Sequence, residues 1–512
     1  MATCESILKF DTAQTADCVE ACPVSGHEAT MVVATYQLNT NDFSKQNMST
    51  GGLRPSQSGT LQQYCVLTNE LDTHGDIRAA KVQDVELDYG VLDAKWSSSP
   101  LHDNVVLALA TSNGSVEFFT LAETFQAGKR VELLKKMSWE VTLQEDKNSV
   151  CGNPMCLSVD WSNRAMTSTS PFICASFADG KIAVWQISNQ TISLESEWQG
   201  HNLHGAAIES WISAFDCFNP NIIFTGADDC TLKGWDKRST EFPTFISRHH
   251  TMGVCSIQFH PGEEHLCAVG SYDEVITLWD TRQMKNPLSE YHAGGGVWRL
   301  KWNPHLPNLL LAACMHNGFQ IVSSKSGSPP AIHCHYTEHG SLAYGVDWWN
   351  PKKPIMEYQI VGSCSFYDKE FHLWRCNTTI TKLLNQVAFV MIHASPLDRL
   401  RASSLQAQIL GKIIRCFGGI LLREVWAVFP ELDHQTATIS SADLPQFLST
   451  FTYFERRLQI CQLLQIEHRS VCFIKQRAQV FIVVNDPLSV LESSRPRCDT
   501  QKIRALCVTS RS

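Results

Sequence analysis

The chain has 512 residues, 42 Lys and Arg against 51 Asp and Glu for a formal net charge of −9, and a hydrophobic share of 44%. A net negative chain argues against sequence-independent nucleic-acid binding, which needs a basic face, and no stretch reaches the ~18 uncharged apolar residues that argue for a membrane span. Twenty cysteines occur without a paired C-x-x-C set for zinc, and Met1-Ala-Thr-Cys-Glu-Ser6 lacks the basic and apolar regions of a secretory signal; a cytoplasmic chain with reduced thiols, no metal and no cofactor is expected.

Along the chain, short strands with one recurring pattern are predicted. The first is centred on Cys18. A polar stretch from about 39 to 60 reads as a loop inserted in the first unit. Leu92-Asp-Ala-Lys-Trp96 then alternates apolar and polar residues and ends in an aromatic ring, the mark of a short β-strand. A charged excursion over 122–149 is expected to link the second unit to the third. The pattern returns at Leu157-Ser-Val-Asp-Trp161, Phe215, Cys255-Ser-Ile-Gln-Phe259, Trp298-Arg-Leu-Lys-Trp302 and Tyr344-Gly-Val-Asp-Trp348, for seven strand starts.

Two phrases set the period. Gly226-Ala-Asp-Asp229 leads to Trp235-Asp236, and Gly270-Ser-Tyr-Asp273 leads to Trp279-Asp280 after the same five residues. The two tryptophans lie 44 residues apart, inside the ~40–45 residue repeat of a four-stranded propeller blade. An aspartate six residues before a strand tryptophan sits in a tight turn, where it is expected to accept hydrogen bonds from a histidine, a serine and the indole N–H. Around Asp273 the set is complete, with His250, Ser271 and Trp279. Asp179 before Trp185 and Asp368 before Trp374 keep the register, the latter with His339 upstream; Asn113 before Phe119 and His316 before Val322 are degenerate copies. His250 and His339 therefore read as hydrogen-bond partners of Asp273 and Asp368, not as catalysts.

The fold expected is all-β, a seven-bladed WD-repeat β-propeller over residues 1–376, closed so that few strand edges are exposed. Thirteen of the fourteen tryptophans precede residue 376, and the register vanishes after it. Residues 377–512 read as a C-terminal extension, disordered or poorly folded.

No Gly-x-Ser-x-Gly elbow, phosphate-binding glycine loop or His-Glu-x-x-His zinc helix is present. The residues left over gather where first strands meet the channel mouth. Gly294-Gly-Gly-Val-Trp-Arg299 sets three glycines, which permit close approach by another molecule, before Trp298 and Arg299. Arg248-His249-His250 supplies a second histidine, Glu209-Ser-Trp211 starts the fourth blade and Tyr344 the seventh. Packing between blades explains any one of these aromatics; together with an acid, an imidazole and a guanidinium they form a polar pocket in an aromatic frame.

Several phrases resemble the eukaryotic WD-repeat methylated-diphthine methylhydrolases of diphthamide biosynthesis. They are Arg248-His-His-Thr-Met-Gly-Val-Cys-Ser-Ile257, Gly270-Ser-Tyr-Asp-Glu274, Gly295-Gly-Val-Trp-Arg-Leu-Lys-Trp302, Leu309-Leu-Leu-Ala-Ala-Cys-Met-His316 and Cys364-Ser-Phe-Tyr-Asp368, with Asp11-Thr-Ala-Gln-Thr-Ala-Asp17 and Ala34-Thr-Tyr-Gln-Leu38 near the start. The resemblance spans about residues 1–376, and the extension departs from it. It implies hydrolysis of the methyl ester of methylated diphthine on a histidine of translation elongation factor 2; a monomer with that protein as partner, and with neither nucleic acid nor membrane, is expected.

Trp211, Trp298 and Tyr344 are the candidate frame for the substrate's trimethylammonium group, whose charge is attracted to aromatic faces. Glu209 is the acid that would orient the base or bind the ammonium. Hydrolysis calls for a base, a nucleophile or activated water, and an oxyanion partner; the candidates are His249 as base, Cys255 or Ser256 as nucleophile and Arg299 at the oxyanion. The competing reading is a WD-repeat adaptor that performs no chemistry.

Overall fold

A computed structural model describes residues 2–38, 57–68, 77–126, 129–144, 153–164, 168, 170–188, 191–325, 328–351 and 358–377, and then 437–438, 471–476, 479–484 and 506–509. Met1–Pro354 and Tyr358–Cys376 form one compact unit. It is a ring of seven sheets, so the seven expected blades are present.

Blade 1 runs outward through Ala16–Ala21, Thr30–Thr35, Gln57–Thr68 and Ile77–Leu87; blade 2 through Val91–Trp96, Val106–Thr111, Ser115–Gln126 and Lys129–Thr142. Blade 3 uses Cys156–Trp161, Phe172–Phe177, Lys181–Ser188 and Thr191–Gln199; blade 4 uses Ile212–Phe215, Ile222–Gly226, Leu232–Asp236 and Phe245–Ser247. Val254–Phe259, Leu266–Ser271, Val275–Asp280 and Ser289–His292 make blade 5, and Arg299–Trp302, Leu309–Ala313, Phe319–Lys325 and Ser328–Tyr336 make blade 6. Blade 7 takes Ala343–Trp348, Tyr358–Ser365 and Glu370–Asn377 from the end of the ring, and its outer strand, Cys4–Asp11, from the start of the chain. The ring is thus latched by pairing its two ends.

The aromatic residue that ends six of the seven inner strands is explained by packing between blades. Trp96, Trp161, Phe215, Phe259, Trp302 and Trp348 are buried, and the apolar clusters mix residues of neighbouring blades, as Ile212, Phe224 and Leu232 of blade 4 do with Ile257, Val269 and Trp279 of blade 5. Indole adds a directed bond that phenylalanine lacks. Nε1 of Trp161 donates to the Lys95 carbonyl at 2.8 Å, Trp302 to Gln258 at 3.1 Å and Trp348 to Lys301 at 2.9 Å, each in the preceding blade. A second link runs in the same direction: Asp93, Ser158 and Ser256 side chains accept from the backbone N–H of Val159, Ser213 and Leu300 in the next blade.

Several expectations change. The 122–149 excursion is mostly the outer hairpin of blade 2, not a linker; the outermost strand has one wet face, so its charges mask the alternation. The 39–60 insertion is shorter, because Gln57–Thr68 is a strand, and residues 39–56 lie outside the described residues. Cys4 and Cys334, expected to be free thiols, form a disulfide, because the latching strand lies against the outer strand of blade 6 and sets their Cα atoms 6.6 Å apart. A second compact unit holds Asn377–Ser512 with Ile355–Glu357. Its described part is a sheet of Ala437–Thr438, Val471–Gln476, Gln479–Val484 and Leu506–Thr509 in that order; the disorder expected of 377–512 otherwise falls outside the described residues. Among the described residues no helix is long and apolar enough to cross a membrane.

The turn aspartates also differ from expectation in detail. His250 Nδ1 meets Asp273 Oδ2 at 2.9 Å as expected, but Trp279 donates to Thr277 Oγ1 at 2.8 Å instead of to the carboxylate, and Ser271 donates to the Met252 carbonyl. Blade 4 holds an equivalent set around the expected Asp229 and Trp235, in which the sequence reading missed two members: His201 bridges Asp229 at 3.0 Å and Thr225 at 2.7 Å, and Trp235 donates to the same Thr225 at 2.9 Å. In blade 7, Ser365 stands between His339 and Asp368, and Trp374 donates to Ser363. Asp179 accepts from the Lys181 N–H of its own turn. Replacing His201 by Ala removes one buried partner from each of Thr225 and Asp229, and chemical denaturation should show a loss of ~1–3 kcal/mol.

Candidate functional site

The site is built on a recurring backbone irregularity. In five inner strands the register with the second strand slips by a bulge at the second residue: Asp17 between Ala16 and Cys18, Leu92 between Val91 and Asp93, Leu157 between Cys156 and Ser158, Cys255 between Val254 and Ser256, and Tyr344 between Ala343 and Val346. In blade 6 both Trp298, through its N–H, and Arg299 oppose Ala313, which places Trp298 at the same point; Trp211 precedes the blade 4 inner strand in the same register. A bulge re-aims its side chain. The five bulge residues, with Trp211 and Trp298, put seven side chains at the start of the inner strands, one from each blade of the ring.

Blades 4, 6 and 7 place aromatics in that ring, and these meet. Trp298 stacks on Tyr344 with centroids 4.8 Å apart at 24°, and Trp211 meets Trp298 edge-on at 5.5 Å. Tyr272 joins them, 5.9 Å from Trp298 and 6.4 Å from Trp211. Trp211 Nε1 donates to Asp228 Oδ1 at 2.6 Å. Burial pushes the Asp228 carboxyl up, the Trp211 bond opposes this, and Glu209 and Asp229 add to the rise.

The predicted frame of Trp211, Trp298 and Tyr344 is therefore assembled, with Glu209 beside Asp228. Sequence reasoning missed Tyr272 and Asp228. Each directly precedes a turn aspartate, Asp273 and Asp229, a position read only as part of the blade motif. The three glycines behave differently from expectation. A Cβ on Gly295 would lie 2.3 Å from the Cys314 carbonyl and one on Gly296 3.2 Å from the Tyr272 ring, so they admit the chain's own packing, not another molecule.

The proposed catalytic residues separate. His249 is not brought to the frame: its Nε2 pairs with Glu290 at 3.1 Å and its ring packs edge-on to Trp279, on the outer strands of blade 5. Ser256 is buried and accepts the Leu300 N–H at 3.0 Å, one of the links between blades. Cys255 does lie in the ring, but burial, with Asp228 adding, pushes its thiol well above the ordinary range, which removes the thiolate a nucleophile requires.

Arg299 lies beneath the ring, where it crosses the centre from blade 6 to blade 2 and meets Asp93 at 3.0 Å. Around it Lys95 contacts Asp93 at 2.6 Å and Glu20 at 3.0 Å, and Lys301 contacts Glu20 at 2.5 Å and Asp347 at 3.5 Å. Burial alone would raise the Asp93 carboxyl, but Arg299 and Lys95 reverse this and hold it below the ordinary range. At the far end of the inner strands a cavity of about 220 Å³ is lined by Glu20, Lys95, Arg164, Gln258, Lys301 and Asp347.

Known proteins are similar to this chain in sequence. The WD domain, G-beta repeat family matches residues 242–280. A diphthine methyltransferase of Mus musculus is 35% identical over 348 residues, covering 66% of this chain and 68% of its own. That of Homo sapiens is 35% identical over 358 residues, covering 68% and 75%. A diphthine methyltransferase homolog of Dictyostelium discoideum is 35% identical over 314 residues, covering 57% and 78%.

Proposed function

The chain belongs to the diphthine methyltransferase family, and on that premise we propose that it acts in diphthamide biosynthesis, hydrolysing the methyl ester of methylated diphthine on translation elongation factor 2. The observation that carries this reading is the aromatic frame of Trp211, Tyr272, Trp298 and Tyr344 with the Asp228 carboxylate at its edge. The substrate bears a trimethylammonium group, and an aromatic face attracts such a cation by ~0.5–2 kcal/mol depending on desolvation. Anchoring that end presents the ester a few bonds away to the rest of the ring. With the Cys255 thiol kept neutral and the Ser256 hydroxyl committed to Leu300, water is the nucleophile this site favours, and the products are a carboxylate and methanol.

The relatives' name favours a second reading, transfer of a methyl group to diphthine, for which a sulfonium donor would suit the same frame. Intact-mass measurement separates the two. Elongation factor 2 carrying methylated diphthine, incubated with the full chain, should lose the mass of one CH2 group. A gain of that mass on unesterified factor with S-adenosylmethionine would replace hydrolysis by transfer, and no change under either condition would favour the adaptor. Trp298→Ala should raise KM roughly tenfold, as losing ~1–2 kcal/mol of cation–π attraction implies, with kcat little changed.

A further inference from the structure

The bulge ring holds one charged member, Asp17, beside Tyr344 where blade 1 meets blade 7. Its neighbours on the other side at the same level are Leu92 and Leu157, so the backbone irregularity does not itself require an acid. Asp17 is 2% exposed, and its Oδ2 is buried with no hydrogen-bond partner among the described residues. An unpaired buried carboxyl oxygen is costly to a fold. Leucine would serve packing better, and the carboxyl adjoins the frame that holds the substrate's cation.

The charged and titratable groups facing it are Arg299 of blade 6 and Asp93 of blade 2, with Tyr272, Tyr344, Cys18 and Cys364 close enough to respond to its charge. Burial dominates: it pushes the Asp17 carboxyl up to about 7, with Arg299 opposing and Asp93 adding. Arg299 is already engaged by Asp93 at 3.0 Å, so Asp17 is left without a close counter-ion and can hold or release a proton near neutrality.

We propose that Asp17 is the general base of the hydrolysis, an inference that rests on the esterase reading above. Its carboxylate takes one proton from water as the water oxygen bonds to the ester carbonyl carbon. The tetrahedral intermediate then breaks its bond to the methoxy oxygen, which leaves with that proton as methanol. The carboxylic acid product loses its own proton to solvent and Asp17 returns to carboxylate.

The test is methanol release from elongation factor 2 carrying methylated diphthine, by the full chain and by Asp17→Asn and Asp17→Glu. Asp17→Asn should lower kcat by roughly 10²–10⁴-fold with KM within about twofold, and Asp17→Glu should recover part of the loss. The carboxylate is the active form, so the parent's kcat should rise with pH through about 7 and level off above it, and Asp17→Asn should lose that dependence. Methanol release by a folded Asp17→Asn at the parent's rate and pH profile would overturn the role of Asp17 and leave the esterase standing. No release by the parent would remove both. Should Asp17→Asn not fold, a parent profile flat from about pH 5.5 to 8.5 overturns the proposal.

Discussion

Arg299→Met is expected to destabilise the propeller by ~3–5 kcal/mol, the usual cost of removing one partner from a buried ion pair. The substitution keeps an unbranched apolar stem and deletes the guanidinium, so Asp93, fully buried, keeps Lys95 as its cation beside the Val159 N–H, and Asp17 loses its nearby cation. The sign of the pH effect follows. Arg299 helps depress the folded-state Asp93 carboxyl, so its stabilisation is present above the unfolded-state value near ~4 and fades as pH falls through the lower folded value. Denaturant unfolding of parent and variant should therefore differ most near neutral pH and converge in acid. Adding Asp93→Asn to Arg299→Met should restore part of the loss, because the stranded charge goes with it. A gap unchanged in acid and unaffected by the second substitution would mean that the guanidinium acts by packing.

Deleting residues 1–11 should cost about as much as the whole folding margin. The deletion removes the outer strand of blade 7, whose seven registered pairs run from Cys4 with Cys376 to Asp11 with Glu370. At ~0.5–1.5 kcal/mol per hydrogen bond their sum is comparable with the ~5–15 kcal/mol that holds an ordinary domain together. Phe10, packed against Tyr64 at 5.0 Å and Phe371 at 5.9 Å, goes with them. The newly bare edge of Glu370–Asn377 is also a template for intermolecular pairing. The truncated chain is expected to aggregate and to lose hydrogen-exchange protection first in blade 7. A soluble monomer with protected Glu370–Asn377 amides would show that pairing of the chain ends is dispensable.

The latch illustrates what the sequence conceals. Six of the seven inner strands were legible because each ends in an aromatic ring whose environment repeats from blade to blade. Cys4–Asp11 carries no such mark: it is an outer strand, and its partner lies some 360 residues away, beyond any local pattern. Lys129–Thr142 was hidden for the related reason that its wet face carries charge. His201 escaped notice although its spacing is ordinary: it stands 28 residues before Asp229, between the 23 of His250 before Asp273 and the 29 of His339 before Asp368.

The site shows the same division. Trp211, Trp298 and Tyr344 could be read as a group because all three start inner strands, which the repeat aligns in space. Tyr272 and Asp228 were absorbed into the turn motif, although each sits next to its conspicuous aspartate on the face toward the ring. Asp17 was passed over because blade 1 ends its inner strand in Ala21 and breaks the aromatic pattern. His249 looked available only because His250 already had a partner. The loop places its ring by Glu290 and Trp279, an arrangement set by tertiary contacts and not by spacing.

Hydrolysis by water at the ring mouth is tested most directly by running the reaction of elongation factor 2 carrying methylated diphthine in heavy-oxygen water and locating the label. Attack on the ester carbonyl predicts one heavy oxygen in the new diphthine carboxylate, unlabelled methanol, and loss of both signals in Asp17→Asn. Heavy oxygen in the methanol, or a methyl group recovered on an acceptor with an unlabelled carboxylate, would contradict it.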